Sequence, residues 1–141
     1  MIMITHDDFS IDEVVNEVKS PDMGAIVTFL GTVRDESGGQ VVERMEIQAY
    51  EDVALRQLKR IEGEALKKFD VKKMTIIHRV GVLNVSDNIL LIVVGASHRD
   101  DAFRACRFVL EELKRTVPLW KKEYTPSGDR WVLGESHGQG R

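Results

Sequence analysis

The sequence predicts a single α+β domain, a mainly antiparallel sheet with about three helices. Three observations carry that expectation. Segments with the apolar patterning of strands outnumber those with helical patterning. Several strand segments follow one another across short turns, which suits antiparallel pairing and not a doubly wound parallel sheet. Finally, 141 residues, 43% hydrophobic and 30% charged, suffice for one core and leave no room for two.

Each element has its own signal. Ser10-Ile11-Asp12-Glu13 is a capping box, and Ile11, Val14, Val15 and Val18 repeat at helical spacing, so a first helix runs toward Pro21. Gly24 to Val33 is rich in β-branched residues and apolar on both faces, the pattern of a buried strand. Arg34 to Gln40 is polar and holds two adjacent glycines, the composition of a mobile loop. Met45, Ile47 and Ala49 then alternate with Arg44, Glu46 and Gln48 in a half-exposed strand. Glu51 and Asp52 open a second helix by complementing its dipole, and its apolar stripe is Leu58, Ile61, Ala65, Leu66 and Phe69. Met74, Ile76, His78 and Val80 alternate with Thr75, Ile77 and Arg79 in another strand. The turn at Ser86-Asp87-Asn88 leads into the continuous apolar run Ile89 to Ala96, a central strand. Asp100 or Asp101 starts a third helix with Ala102, Ala105, Cys106, Val109 and Leu113 inward, and Thr116-Val117-Pro118 ends it. Trp120, Lys122 and Tyr124 alternate with Lys121, Glu123 and Thr125, and the chain turns at Pro126-Ser127-Gly128-Asp129 into a last short strand, Arg130-Trp131-Val132. The domain is expected over residues 1–133, with residues 134–141, three of them glycine, as a flexible tail.

Composition removes several function classes. No apolar run approaches the ~20 residues of a membrane span. The opening MIMITHDDFS carries no basic leader, so neither a signal nor a transit peptide is expected and the location should be cytoplasmic. The single Cys106 excludes an intrachain disulfide and a cysteine-based metal cage. His6, His78, His98 and His137 form no i, i+4 pair and no HExxH, so no metal site is expected. There is no GxGxxG and no P-loop. A net charge of -3 speaks against a general nucleic-acid surface, but it averages over an asymmetry. Residues 1–31 hold six acids and one base, whereas residues 98–131 hold eight Lys/Arg against six Asp/Glu.

Candidate chemistry is concentrated in three places. Ser97-His98-Arg99-Asp100 lies where an apolar strand meets a helix start, so backbone donors, a guanidinium fork and a titratable imidazole can converge on an anion; the plainer reading is a loop arginine paired with Asp100 or Asp101. His98-Arg99-Asp100 also matches the triplet of a protein-kinase catalytic loop, but the chain is too short for that fold and lacks its other motifs. Lys114 and Lys121 flank the helix end at Pro118, so a chain reversal can bring both ammonium groups to one cleft; the alternative is two surface lysines among many. Thr32-Val33-Arg34 ends the first long strand at the glycine-rich loop, where an arginine can close over a bound anion or simply pair with Asp35 or Glu36. Phe29 is either core or the wall for a planar ligand. Cys106, on an inward stripe, reads as an inert buried thiol.

The strings GAIVTFLGTVRD, HRVGVL, ASHRDDAF and LKRTVPLWKKE, the last followed by TPSGDRWV, resemble the large, catalytic subunit of molybdopterin synthase, the MoaE family. The resemblance runs from Gly24 to Val132. It implies an α/β hammerhead-type fold and a homodimer within a heterotetramer. Each large subunit would bind a small ubiquitin-like sulfur carrier whose C-terminal Gly-Gly ends in a thiocarboxylate. The implied reaction converts cyclic pyranopterin monophosphate into the dithiolene of molybdopterin, in two sulfur transfers within molybdenum cofactor biosynthesis, with no cofactor. By motif, the resemblance makes Lys114 and Lys121 catalytic and adds Phe29, Thr32, Val33, Arg34, His98, Arg99, Lys122 and Glu123 as substrate contacts. In that scheme Arg34, His98 and Arg99 hold the phosphate and pterin, while Lys114 sits at the thiocarboxylate with Lys121 assisting. The cysteine count agrees: a persulfide enzyme needs an exposed thiol, and Cys106 is expected to be buried, so sulfur arrives on a partner. Some relatives continue into a longer charged segment, and Glu135, Ser136 and His137 are not carried over as site residues. The main competing expectation is a non-catalytic module of this fold that binds a phosphate-containing ligand or a protein tail. An RNA-binding domain is disfavoured by overall acidity and only 6% aromatic residues.

Overall fold

The computed structural model of the chain describes residues 1–132; the predicted tail at 134–141 lies outside the described residues. The elements in order are β1 Ile2–Thr5, α1 Ile11–Val18, β2 Ala25–Thr32, β3 Glu36–Ser37, β4 Gln40–Val41, β5 Arg44–Ala49, α2 Glu51–Lys68, β6 Val71–Arg79, β7 Gly81–Asn84, β8 Asn88–Ala96, α3 Arg99–Thr116, β9 Leu119–Thr125 and β10 Gly128–Val132. They form a four-stranded sheet in the order β1-β6-β8-β2, a second in the order β10-β9-β5-β7, and the isolated hairpin β3-β4. All pairings are antiparallel except β1 with β6. Three helices on a mainly antiparallel framework are what the sequence predicted.

The first sheet is the centre of the molecule because both of its faces are covered. Ile77 on β6 and Leu91 and Val93 on β8 pack with Val14 and Val18 of α1. The alternate residues Ile76, Ile92 and Val94 point the other way, into a cluster with Leu58 and Ile61 of α2 and Ala105 and Val109 of α3. Met74 to His78 are consequently buried without interruption, although the sequence alternates in character there. At α1 the Ser10 side chain accepts a hydrogen bond from the Glu13 backbone N–H at 3.2 Å, the expected cap.

Three expectations need correction. The segment from Gly24 to Val33 is not a buried strand: β2 is an edge strand, Thr28, Leu30 and Thr32 are exposed, and only Val33, just past the strand's end, is buried. Its apolar character on both faces comes from half-covered residues that pack at the rim of the core. The inward stripe of α2 is Ala54, Leu58, Ile61 and Ala65, and Leu66, one residue past that line and so about 100° round the helix, is 43% exposed. Arg34 to Gln40 is not an unstructured loop, since β3 and β4 pair through Glu36↔Val41 and Ser37↔Gln40. Gly38 and Gly39 make the turn at φ 58° and 80°, the left-handed values a tight hairpin requires.

The two sheets join where β6 passes into β7. Gly81 sits there at φ 100°, and a Cβ at that position would stand 3.1 Å from His6 Nδ1, so both the turn and the close approach demand glycine. This crossover leaves His78 beside the gap between the sheets.

Candidate active site

A cavity of about 470 Å³ opens between the two sheets at the C-terminal end of α3. Four parts of the fold converge on it. The end of β2 and the turn after it supply Phe29, Thr32 and Arg34. The last turn of α3 supplies Leu113 and Lys114. The inner face of β9 supplies Lys121 and Glu123, and the end of β6 supplies His78. Lys114 and Lys121 meet here for a local reason. The α3 helix stops at Val117 before Pro118, and β9 turns back to pair with β5 in the register Lys121↔Ile47, with odd-numbered side chains inward. Helix polarity favours a cation at the position of Lys114, in the last turn. Gly31 keeps Phe29 in place, because a Cβ there would stand 3.3 Å from the ring.

Three basic side chains, Arg34, Lys114 and Lys121, and two acidic ones, Glu36 and Glu123, line the cavity. Glu123 is only 4% exposed, and its carboxylate is met by Arg130, whose Nη2 lies 3.0 Å away and whose Nε donates at 3.1 Å. A buried carboxylate needs such a partner, and Arg34, Lys114 and Lys121 line the same cavity. His78 is 2% exposed, and burial pushes its pKa down to about 4, helped by the nearby Lys121 ammonium. At neutral pH it is therefore an uncharged imidazole. Its Nδ1 donates to the Arg79 carbonyl at 2.8 Å, which puts the proton on Nδ1 and the lone pair on Nε2.

The structure gathers Phe29, Thr32, Arg34, Lys114, Lys121 and Glu123 around this cavity and places the other four candidates elsewhere. Val33 is 2% exposed, and its backbone donates to Asp87 O at 3.1 Å and accepts from Ser86 N at 2.8 Å, so it anchors the start of the hairpin. Lys122 is on the outer face of β9, with Nζ 3.8 Å from Glu46 Oε1 and over the rings of Tyr124 and Trp131. His98 and Arg99 stand at the opposite end of α3, about 24 Å along the helix axis from Lys114. Two residues of the site escaped the sequence reading. His78 fell on the apolar face of an alternating strand, where a histidine reads as core, although it lies inside the HRVGVL string. Arg130 was read as part of a terminal strand and of the TPSGDRWV string, without a role of its own. Cys106 is 6% exposed and does not line the cavity, and burial pushes its thiol up to about 11. Among the described residues no cluster of His, Cys, Asp and Glu could hold a metal ion.

Comparison with known proteins adds the following. The model of one family, described as MoaE protein, matches residues 4–116. The molybdopterin synthase catalytic subunit of Pyrococcus abyssi is 44% identical over 131 residues, covering 93% of this chain and 88% of that one. Catalytic subunit 1 of Mycobacterium tuberculosis is 39% identical over 129 residues, covering 92% of this chain and 88% of that protein. Among solved structures, molybdopterin synthase from Staphylococcus aureus superposes with a TM-score of 0.87 at 34% identity, over 92% of this chain and 95% of that chain. A complex of subunits 1 and 2 of molybdopterin-converting factor from Helicobacter pylori matches with a TM-score of 0.77 at 18% identity, over 93% and 89% of the two chains, and speaks for the fold alone.

Proposed function

The chain belongs to the MoaE protein family, and from that premise we propose that it is the catalytic subunit of a molybdopterin synthase. It transfers sulfur from the C-terminal thiocarboxylate of a small ubiquitin-like carrier to cyclic pyranopterin monophosphate. One observation carries the reading: Arg34, Lys114 and Lys121 surround a single cavity walled by Phe29, while the chain's one thiol is buried outside it. Both reactants are anions, one has a planar ring system, and the reactive sulfur must come from elsewhere.

In this scheme the thiocarboxylate sulfur attacks an oxygen-bearing substrate carbon. The carbon–sulfur bond forms, a carbon–oxygen bond at that carbon breaks, and the displaced oxygen stays on the phosphate or leaves, protonated, as water, so the carrier is briefly held to the substrate as a thioester. Water then attacks the acyl carbon, the acyl–sulfur bond breaks, and the carrier leaves as a carboxylate while the sulfur stays on the substrate. Two such rounds supply both dithiolene sulfurs. Lys114 stands at the acyl group, where an ammonium stabilises the oxyanion that develops, and Lys121 assists in proton transfer. Arg34 holds the phosphate, for which a guanidinium fork is suited. The low-lying pKa of His78 keeps a second positive charge from forming next to Lys121.

His98 and Arg99 cannot reach this cavity within their own chain. A homodimer resolves that, with a second copy supplying them as further substrate contacts beside two bound carriers in a heterotetramer. Val33 and Lys122 serve this reading indirectly, as the anchor of the Arg34 segment and as an outer-face residue of β9. A cytoplasmic location belongs to the same reading; among the described residues no helix is long and apolar enough to cross a membrane.

The test is to mix the purified chain with thiocarboxylated carrier and cyclic pterin. Dithiolene product supports the enzyme, whereas binding without turnover supports a non-catalytic module. In Lys114→Ala the fold should persist and turnover should fall at least about 100-fold, the scale of losing one oxyanion-stabilising group. Near-normal turnover in that variant would sink the assignment.

A further inference from the structure

The segment that carries Arg34 is attached to the rest of the molecule in an unusual way. β3 and β4 pair only with each other and join neither main sheet. The hairpin buries little of itself: Glu36, Gly38, Gly39 and Gln40 are exposed, and Val41 is 59% exposed. Apolar burial therefore does not hold it down, yet Arg34, Glu36 and Ser37 line the cavity. Its base is secured by the backbone bonds of Val33 with Asp87 and Ser86 and of Glu43 N to Tyr124 O. At its tip, Arg130 Nη2 donates to the Ser37 carbonyl at 2.7 Å. Among the described residues this is the hydrogen bond that joins the tip to the body of the fold.

Arg130 is itself held rigidly. It sits directly opposite Glu123 in the β9–β10 ladder, and the Glu123 carboxylate receives both Nε and Nη2. The guanidinium passes beneath the turn, with Nη2 3.6 Å from where a Cβ on Gly38 would stand. The chain of contacts thus runs from a buried carboxylate on the cavity wall, through a planar cation, to the main chain of the hairpin. A bond to a backbone carbonyl fixes where the hairpin lies whatever its side chains are.

We propose that Arg130 is a positioning residue that straps the 34–41 hairpin over the cavity and thereby sets the place of Arg34. Glu123 acts as the anchor of the strap as well as a wall of the site. When the bond to Ser37 breaks, the hairpin swings on its secured base and Arg34 leaves the cavity. An anion bound by Arg34 favours the closed position, so substrate binding and hairpin order rise together. The kinetic part rests on the sulfur-transfer reading; the structural part does not.

The experiment compares the full-length chain with Arg130→Ala and Arg130→Lys, by hydrogen exchange and by turnover with carrier and cyclic pterin. The reporter amide is Val42, which donates to Asp35 O at 2.9 Å, together with the β3–β4 ladder. In Arg130→Ala, exchange over residues 35–42 should rise about tenfold or more, the scale of one charge-assisted hydrogen bond, with β8 and α3 unchanged. KM for the pterin should rise by about the same factor with kcat changed far less, because the chemistry at Lys114 is untouched. Arg130→Lys keeps a cation opposite Glu123 but lacks the fork that also reaches Ser37, so it should fall between the two. Unchanged hairpin exchange in Arg130→Ala overturns the proposal, as does a loosened hairpin with an unchanged KM. If Arg130→Ala loosens the whole fold, Arg130→Lys decides: global protection with a loosened hairpin supports the strap, and a hairpin as protected as in the parent chain refutes it. Should the parent chain itself show no turnover, the functional reading fails while the exchange result still judges the strap.

Discussion

His78 and Cys106 are titratable side chains that burial has moved in opposite senses, and each shift has a consequence. The Cys106 thiol, raised to about 11, has almost no thiolate at neutral pH and is therefore a poor sulfur nucleophile. His78, lowered to about 4, prefers its neutral form in the fold. As pH falls below about 6.5, the unfolded chain takes up a proton at this position that the folded chain refuses until about 4. Stability should therefore be fully present above about pH 6.5 and decline by up to about 3 kcal/mol on the way to pH 4. Asp8 and Asp22, whose carboxyls are held below their usual range mainly by side-chain hydrogen bonds, pull in the same direction only in more acidic solution. Urea unfolding at pH 7.5 and pH 5 isolates the histidine. His78→Gln, which keeps an amide donor and acceptor but does not titrate, should lose much less stability over that interval than the parent chain. An equal loss in both would show that the imidazole is not the source. The sequence could not announce this residue, because its chemistry comes from the second sheet closing over it, while its alternation partners Met74 and Ile76 are plain core.

The elements show why some strands were legible and others were misread. Alternation in Met45, Ile47 and Ala49 correctly described a strand with one wet face, since Met45 and Ile47 are buried in the core while Arg44 and Gln48 on the other face are exposed. The same rule misjudged β2, because apolar content on both faces records that each is partly covered and not that the strand is central. The strand β1 carries no local signal that separates it from a frayed terminus; its pairing with β6, such as Ile2↔Ile76, joins residues far apart in sequence. Helix faces were legible where the apolar spacing was long, as in α3 from Ala102 to Leu113, and failed for one residue in α2. That failure has a measurable counterpart. Ile92 of β8 is fully buried in the core cluster that the inward stripe of α2 also joins, so Ile92→Ala should cost about 2–5 kcal/mol in urea unfolding. Leu66→Ala, at 43% exposure, should change stability by no more than about 0.5 kcal/mol. A cost at Leu66 close to that at the core residue Ile92 would contradict the placing of Leu66 outside the inward face of α2.

The length of α3 governs which residues one chain can bring to one site. The helix runs eighteen residues from Arg99 to Thr116, with Lys114 in its last turn at the cavity and His98 and Arg99 at its other end. The resemblance in the sequence grouped all of these as substrate contacts, and linear spacing gave no way to know that one rigid element holds them apart. A straight helix cannot fold back on itself, so residues from both of its ends meet at one site only if two copies of the chain are arranged with α3 of one reaching toward the cavity of the other. In a two-fold dimer each cavity then combines Lys114 of one chain with Arg99 of the other. The consequence is complementation. Lys114→Ala and Arg99→Ala should each be nearly inactive as pure dimers. When the two are mixed and allowed to exchange subunits, half the dimers become hybrids, and each hybrid holds one cavity with both defects and one with none. Activity should recover to about a quarter of that of the parent chain. The recovery should grow with the time allowed for exchange and disappear if the pure dimers are cross-linked before mixing. If subunits demonstrably exchange and no activity returns, then Arg99 serves the cavity of its own chain through some larger rearrangement or does not serve it at all, and the shared site falls.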